Sequence, residues 1–389
     1  MDSQSIPAPS PAGARLKVES IRPIYSIDDR TYPPHSQVHF PFLYEAPDGV
    51  WYMTHREGPH GWGKGKMGVG WKDEARVNLF TDDRVQTVYS TDFGKSWHPW
   101  AGLKADSWKW RLFVTRLRNG TLLSHRYILE DLMNDARGKL KGTGIILRST
   151  DDGKNWKQDP APIRDIPFRI SREEECGFGM WGHVRERQDG ALLVAMQGGS
   201  KVHAGEPSGN GVLLSEDEGK SWRYLSAIAD SVELGNEGCS ETDIVKVGGN
   251  EFLAVYRTGT EGASSLHQSR SHDGGRTWGT AENLNIRHGV SPQLLLLENG
   301  VLILSYGNRK VHVRCSEDSG RTWSDPLQIY GGPGSGYTDI QALDENRFRI
   351  VFDASTFREP PEPQAERNEI RRAVIRVDKY HSIRPPFPG

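Results

Sequence analysis

The chain has 389 residues, 26% of them charged, and 49 Lys and Arg against 51 Asp and Glu leave a net charge of −2. That near-balance excludes a nucleic-acid or membrane surface built on bulk charge. The three cysteines, Cys176, Cys239 and Cys315, are odd in number and far apart, so they imply neither a disulfide framework nor a metal cluster, and no apolar run approaches the length of a membrane span.

Residues 1–15, beginning MDSQSIPAPSPAGA, read as a disordered leader. They lack the charged-then-apolar plan of a signal peptide, so the expectation is a cytoplasmic protein unless a leader has been removed. A strand is expected around Val18–Tyr25. From there two repeats alternate along the chain. The first is a β-rich run, a turn rich in Gly or Asn, and a second β-rich run; its copies are His39–Arg56, Arg111–Arg126, Met180–Gly198, Ser240–Arg257, Val290–Asn308 and Tyr337–Asp353. The turns Asp-Gly, Asn-Gly and Gly-Gly-Asn are hairpin signals. The second repeat is an octapeptide of the form Ser-x-Asp-x-Gly-[Lys/Arg]-x-Trp, found at Ser90–Trp97, Ser149–Trp156, Ser215–Trp222, Ser271–Trp278 and Ser316–Trp323. In it the Asp accepts hydrogen bonds from its own turn, the Gly permits a positive φ, and the Trp covers the flank of the hairpin. These residues are structural and carry no chemistry. Asp131–Gly142 and the Pro-rich Phe357–Glu369 read as insertions between strands, and Arg371–Asp378 as a last strand.

Six inner hairpins, five octapeptide hairpins and an outer pair drawn from both ends describe one all-β domain, a six-bladed β-propeller over residues 16–380 with a tail at 381–389. Radial closure hides the sheet edges. In such a ring the inner-strand ends converge on the axis, and polar residues gather there. Before the turns stand His39, Arg111, Trp181 with His183, Glu241 and Tyr337; after them stand His55 with Arg56, His125 with Arg126, Gln197, Arg257, Asn308 with Arg309, and Asp353. Arg or His at the same exit in four of six blades points to a shared anionic site.

The octapeptide and the blade count resemble the sialidase superfamily, whose Asp boxes have this form, over roughly residues 35 to 378. The segment Ser240–Arg257 matches that family's placing of a catalytic base, here Glu241, and of its second carboxylate-binding Arg, here Arg257. Gly334–Leu343 is similar to the segment that carries the family's nucleophilic Tyr, here Tyr337. Arg309, or its neighbour Asn308, falls at the third Arg. The chemistry implied is coherent: a sugar with a carboxylate on its anomeric carbon repels an anionic nucleophile, whereas a Tyr hydroxyl deprotonated by a neighbouring Glu avoids that repulsion, and arginines grip the carboxylate. Two departures stand out. The family's first Arg lies in an Arg-Ile-Pro motif, and here the frame Val38-His39-Phe40-Pro41 puts His39 in its slot. The family's acidic Asp would fall in Gly58–Trp71, which holds no carboxylate; Asp82 or Asp83 comes later, so acid catalysis comes from a displaced Asp or from a His (His39, His55 or His60), or does not occur.

The resemblance thus implies a sialidase-like exo-glycoside hydrolase acting on a terminal acidic sugar of a glycan or oligosaccharide, not necessarily sialic acid. Tyr337, Glu241, Asp82, Asp83 and His39 are the catalytic candidates. Arg257, Arg309, Arg56, Arg111, His55, His125, Trp181 and His183 are the substrate-binding ones, with no metal and no cofactor required. Two alternatives are a propeller polysaccharide lyase using a His/Tyr pair, and a glycan-binding propeller without catalysis.

Overall fold

In several inner hairpins the second strand carries a continuous apolar run, as in Leu192–Met196 and Phe252–Tyr256, which suits a sheet covered on both faces. In every inner hairpin but the last, Tyr337–Asp353, the turn holds a glycine in the left-handed region, such as Gly49 at φ 86° and Gly300 at φ 83°. The computed structural model describes residues 14–27, 36–59, 84–103, 110–167, 176–200, 209–229, 238–259, 265–308, 310–355 and 368–379. The rest of the expected leader, the C-terminal tail, Asp82, Asp83 and Arg309 lie outside the described residues. All regular structure among the described residues is β-strand.

The strands form six four-stranded blades, each running outward from the axis. Blade 1 is Ser36–Glu45, Trp51–Pro59, Arg84–Ser90 and His98–Pro99; blade 2 is Trp110–Arg116, Leu122–Arg126, Leu140–Ser149 and Lys157–Ile166. Blade 3 is Cys176–Glu186, Leu192–Ser200, Gly209–Ser215 and Trp222–Ala229; blade 4 is Cys239–Gly248, Glu251–Thr258, Ser265–Ser271 and Glu282–Arg287. Blade 5 is Val290–Leu296, Leu302–Gly307, Val311–Ser316 and Leu327–Tyr330. Blade 6 takes Thr338–Ala342, Arg347–Ala354 and Glu369–Asp378 from the end of the chain and its outermost strand, Arg15–Ser26, from the beginning. The fold is a six-bladed β-propeller with five Asp-box hairpins. Blades 2 and 3 are additionally joined at their outer edges, where Ile163 and Arg164 pair in parallel with Trp222 and Arg223.

The boxes lock their hairpins in one way. In the first, Ser90 Oγ accepts the Gly94 amide at 2.8 Å and donates to Asp92 Oδ1, while Asp92 accepts the Ser96 amide at 2.9 Å and the Ser96 hydroxyl at 2.7 Å. The residue before each box glycine is left-handed too: Phe93, Asp152, Glu218, Gly274 and Ser319 all have positive φ. The box tryptophans wedge between blades as well as flanking their own hairpins. Trp278 of blade 4 donates to Ser226 of blade 3, and Trp323 of blade 5 to Gln268 of blade 4. Each of the six hydrophobic clusters fills one junction between neighbouring blades, and a box Trp belongs to every junction except that of blades 5 and 6, because blade 6 has no box.

One expectation is corrected. Asp131–Gly142 is not a bare insertion: Glu130–Asn134 is a strand that pairs back on Leu140–Thr143, with Gly138 at φ 76° in the turn. Its high charge conceals it, because at least one face is solvated and the hydrophobic pattern is weak.

Candidate active site

One position recurs in all six inner strands. Phe42, Phe113, His183 and Gln293 each stand seven residues ahead of the turn glycines Gly49, Gly120, Gly190 and Gly300. Asp243 and Asp339 take the same place in blades 4 and 6, within a repeated Thr-Asp-Ile, and the pairings Phe42↔Thr54, Asp243↔Val255, Gln293↔Ser305 and Asp339↔Val351 share one spacing. These six side chains close a belt round the axis. Phe42 meets Phe113 edge-on at 4.8 Å, Phe113 meets His183 at 5.5 Å, and His183 Nδ1 lies 3.4 Å from Asp243 Oδ2. Asp243 accepts the Leu294 amide at 2.8 Å, Gln293 accepts the Ile340 amide at 3.3 Å, and Asp339 accepts the Leu43 amide at 3.0 Å. Burial alone would raise the Asp243 carboxyl, but Arg185, His183 and the Leu294 amide together hold it below the usual range. Arg349 does the same structural work from blade 6, bonding Asp339 Oδ2 at 2.6 Å and Gln341 at 2.9 Å.

Two residues nearer the strand starts, the same count puts Phe40, Arg111, Trp181, Glu241, Ser291 and Tyr337 at one level, one from each blade. Register shifts interrupt the inner hairpins at this level in blades 1 to 5. Such bulges re-aim side chains. Phe40 and Ser291 are left-handed there, at φ 53° and 46°, a strain that non-glycine residues carry mainly where function or packing holds it. This second belt is the candidate site.

At its centre the Tyr337 hydroxyl donates to Glu241 Oε1. The buried Glu241 also has Arg257 Nη1 3.3 Å from Oε1, and its Oε2 accepts the Ser291 amide at 2.8 Å. Both are donors to that carboxylate. The Tyr337 ring is held edge-on by Phe40, with centroids 4.5 Å apart, and faces Trp181 at 6.2 Å. The Arg56 guanidinium lies over the Phe40 ring at 5.3 Å. His39, paired across the hairpin with Arg56, has Nδ1 3.5 Å from Asp353 Oδ2. The arrangement can activate a tyrosine oxygen against a carboxylate base beside three cationic or titratable side chains.

Three predicted residues stand elsewhere than expected. His55 is buried, with Nε2 2.9 Å from Glu57 Oε1 and its ring 4.3 Å from that of Tyr25, so it seals the junction of blades 6 and 1. Strand alternation gives the reason: neighbours His55 and Arg56 must point to opposite faces. His125 is fully buried, its Nε2 2.8 Å from the Gly182 carbonyl, and burial lowers its pKa, keeping it neutral. His183 belongs to the deeper belt; it lines a cavity of about 200 Å³ with Glu45, Asp339, Gln341 and Arg349, along the later halves of the inner strands. Trp181 is buried and packs under Tyr337 rather than standing open to solvent. Arg111 is described only as a strand residue opposite His125. Sequence reading passed over Phe40 and Ser291, although Glu-Thr-Asp-Ile at 241–244 and Tyr-Thr-Asp-Ile at 337–340 already signal that Glu241 and Tyr337 are equivalent positions of two blades.

Fold and belts together define an Asp-box propeller with a Tyr–Glu pair on its axis. The model of the BNR repeat-like domain matches residues 127–350, more than half of the chain, and that of the BNR/Asp-box repeat matches 88–99. The chain belongs to the BNR repeat-like family, within the sialidase-like Asp-box superfamily. Among curated proteins it is 27% identical over 186 residues to a xyloglucanase of Paenibacillus sp, a match covering 43% of this chain and 16% of that protein. The chain thus aligns with less than a fifth of that relative's length. Among solved structures it resembles a protein of unknown function from Dyadobacter fermentans, at 19% identity and TM-score 0.63, over 95% of this chain and 100% of that one. A Hadza microbial sialidase superposes at 16% identity and TM-score 0.54, over 88% and 66%. At these identities the structures speak for the fold alone.

Proposed function

We propose that this protein is a glycoside hydrolase that releases a terminal acidic sugar from a glycan, with Tyr337 as nucleophile and Glu241 as its base. The observation that carries the reading is the hydrogen bond from the Tyr337 hydroxyl to Glu241, supported from behind by Arg257 and the Ser291 amide. A tyrosine has an ordinary pKa near ~10 and reacts at neutral pH only beside such a base. Arg257 and Arg56 supply positive charge for a substrate carboxylate. His39 in place of an arginine weakens the grip that a sialic acid would need, which favours a uronic or deoxy-ulosonic acid. The Tyr337 hydroxyl donates to a carboxylate, which supports its use as a nucleophile in hydrolysis.

The test is a panel of 4-nitrophenyl glycosides of sialic, glucuronic, galacturonic and 3-deoxy-ulosonic acids. Release of nitrophenol from one of the last three is expected, with Glu241→Gln slowing it on the order of 10³-fold. Binding without release across the panel would leave a lectin, and an unsaturated product would make it a lyase; either result contradicts the proposal.

A further inference from the structure

We infer that Asp353 is a positioning residue that makes His39 the proton donor of this site, a role that the chain leaves without a carboxylic acid at the expected place. The inference rests on the hydrolase reading above and adds a residue to it. Asp353 lies near the end of the second strand of blade 6 and is fully buried. Its Oδ2 accepts the Ser335 amide at 2.7 Å and its Oδ1 accepts the Ser335 hydroxyl. Oδ2 is also 3.5 Å from His39 Nδ1, across the junction between blades 6 and 1. A buried carboxylate is stable when charged donors face it. Among the described residues, His39 is the side chain that forms an ion pair with Asp353.

The charged surroundings of His39 sort into two directions. Arg56 stands opposite it on the second strand of blade 1, and Asp353 faces it from blade 6, with Oδ2 3.5 Å from Nδ1. On its third side stands Phe40, the ring that holds Tyr337. A carboxylate 3.5 Å from Nδ1 would draw the ring hydrogen to that nitrogen, leaving Nε2 as the nitrogen that exchanges protons. Further, the same carboxylate holds the approach to Tyr337. Gly334 packs on the Asp353 carbonyl so closely that a Cβ there would stand 2.5 Å from it, and Ser335 Oγ accepts the Tyr337 amide at 3.2 Å. One buried residue therefore ties together the imidazole and the tyrosine.

The imidazolium gives its Nε2 proton to the glycosidic oxygen as the bond from that oxygen to the anomeric carbon breaks, its electron pair staying on oxygen. The Tyr337 oxygen bonds to the anomeric carbon and its proton passes to Glu241. In the return step His39 Nε2 takes a proton from the water whose oxygen attacks that carbon, and Tyr337 leaves and recovers its proton from Glu241. Nδ1 keeps its hydrogen, facing Asp353, throughout.

A ¹⁵N-detected NMR measurement on the full chain, with no substrate, reads the key feature directly. Neutral His39 should carry its hydrogen on Nδ1. A neutral form with hydrogen on Nε2 overturns the inference, whatever the fate of the Tyr337–Glu241 reading. The second arm is Asp353→Asn, which can still meet Ser335, assayed on the panel glycoside that the native protein cleaves fastest. Against 4-nitrophenyl and methyl glycosides of that sugar, the variant should lose at least about tenfold more kcat on the methyl leaving group, which needs a proton, and the alkaline limb of its pH profile should move to lower pH. Equal losses on both leaving groups, with an unmoved profile, would reduce Asp353 to a structural support and overturn its proposed role.

Discussion

Asp243→Asn is a sharp test of the axial belt. Asp243 Oδ1 accepts the His183 amide at 3.1 Å and the Ile244 amide at 3.0 Å; Oδ2 accepts the Leu294 amide at 2.8 Å and Arg185 Nη2 at 3.1 Å. A carboxamide has one acceptor oxygen, so whichever way it turns its NH₂ faces donors from one pair. Each buried donor left without an acceptor costs about 1–3 kcal/mol, and Arg185 loses its compensating charge as well. The expected loss is about 3–6 kcal/mol, which for a domain of this size lowers Tm on the order of 4–7 °C. Calorimetry at fixed scan rate measures it. The pH dependence has a definite sign. The Asp243 carboxyl is depressed in the folded protein, so its contribution is complete above the unfolded value near ~3.9 and is lost as pH falls through the lower folded value. The gap between native and variant Tm should therefore hold from neutral pH down to about 4 and close only below it. A Tm within about 2 °C of the native protein at pH 7 would refute the belt as a stabilising ring.

Gly320 and Gly300 share a left-handed backbone, at φ 85° and 83°, but a Cβ on Gly320 would lie 2.5 Å from Leu253 Cδ2 whereas one on Gly300 meets nothing within 4 Å. Gly300→Ala should cost about 1–2 kcal/mol for strain alone and Gly320→Ala about 1–3 kcal/mol more, read from paired denaturation curves; equal costs would mean that the box glycine is not packed as described. Deleting residues 1–26 removes the strand Arg15–Ser26 and exposes the edge of Glu369–Asp378, so the product should be insoluble or aggregated by size-exclusion chromatography, and a monodisperse folded product would contradict closure by both ends.

The fold could be read from the chain because its signals are local. Asp-Gly and Asn-Gly turns and the box glycines mark most of the hairpins, and the last blade, with Asp344-Glu345-Asn346 at its turn and no box, is found from its flanking strands; Asn210-Gly211, inside a strand, is the exception. The pairing of Tyr337 with Glu241 was open to the same counting, since both precede Thr-Asp-Ile. The facing of the histidines was not. In blades 1 to 5 the inner strand carries a bulge just where the site begins, and where one residue is added, as in blades 1, 4 and 5, it reverses the alternation that decides which side chain meets the axis. Arg56 could thus reach the Phe40 ring while its neighbour His55 turned to Tyr25. Asp353 was visible as a strand-end acid, but its partner His39 lies in another blade more than three hundred residues away, and no local pattern encodes that meeting. The strand Glu130–Asn134 was hidden by its charge.

The account rests on Tyr337 acting through Glu241. The direct measurement is steady-state turnover by Tyr337→Phe on the panel glycoside that the native protein cleaves, with Tm recorded alongside. The ring packing on Phe40 and Trp181 survives this substitution, so Tm should stay within a few degrees, about 1 kcal/mol or less of stability. The lost hydroxyl should lower kcat on the order of 10³-fold or more, with KM little changed. Turnover within about tenfold of the native rate by a well-folded Tyr337→Phe protein would contradict the account.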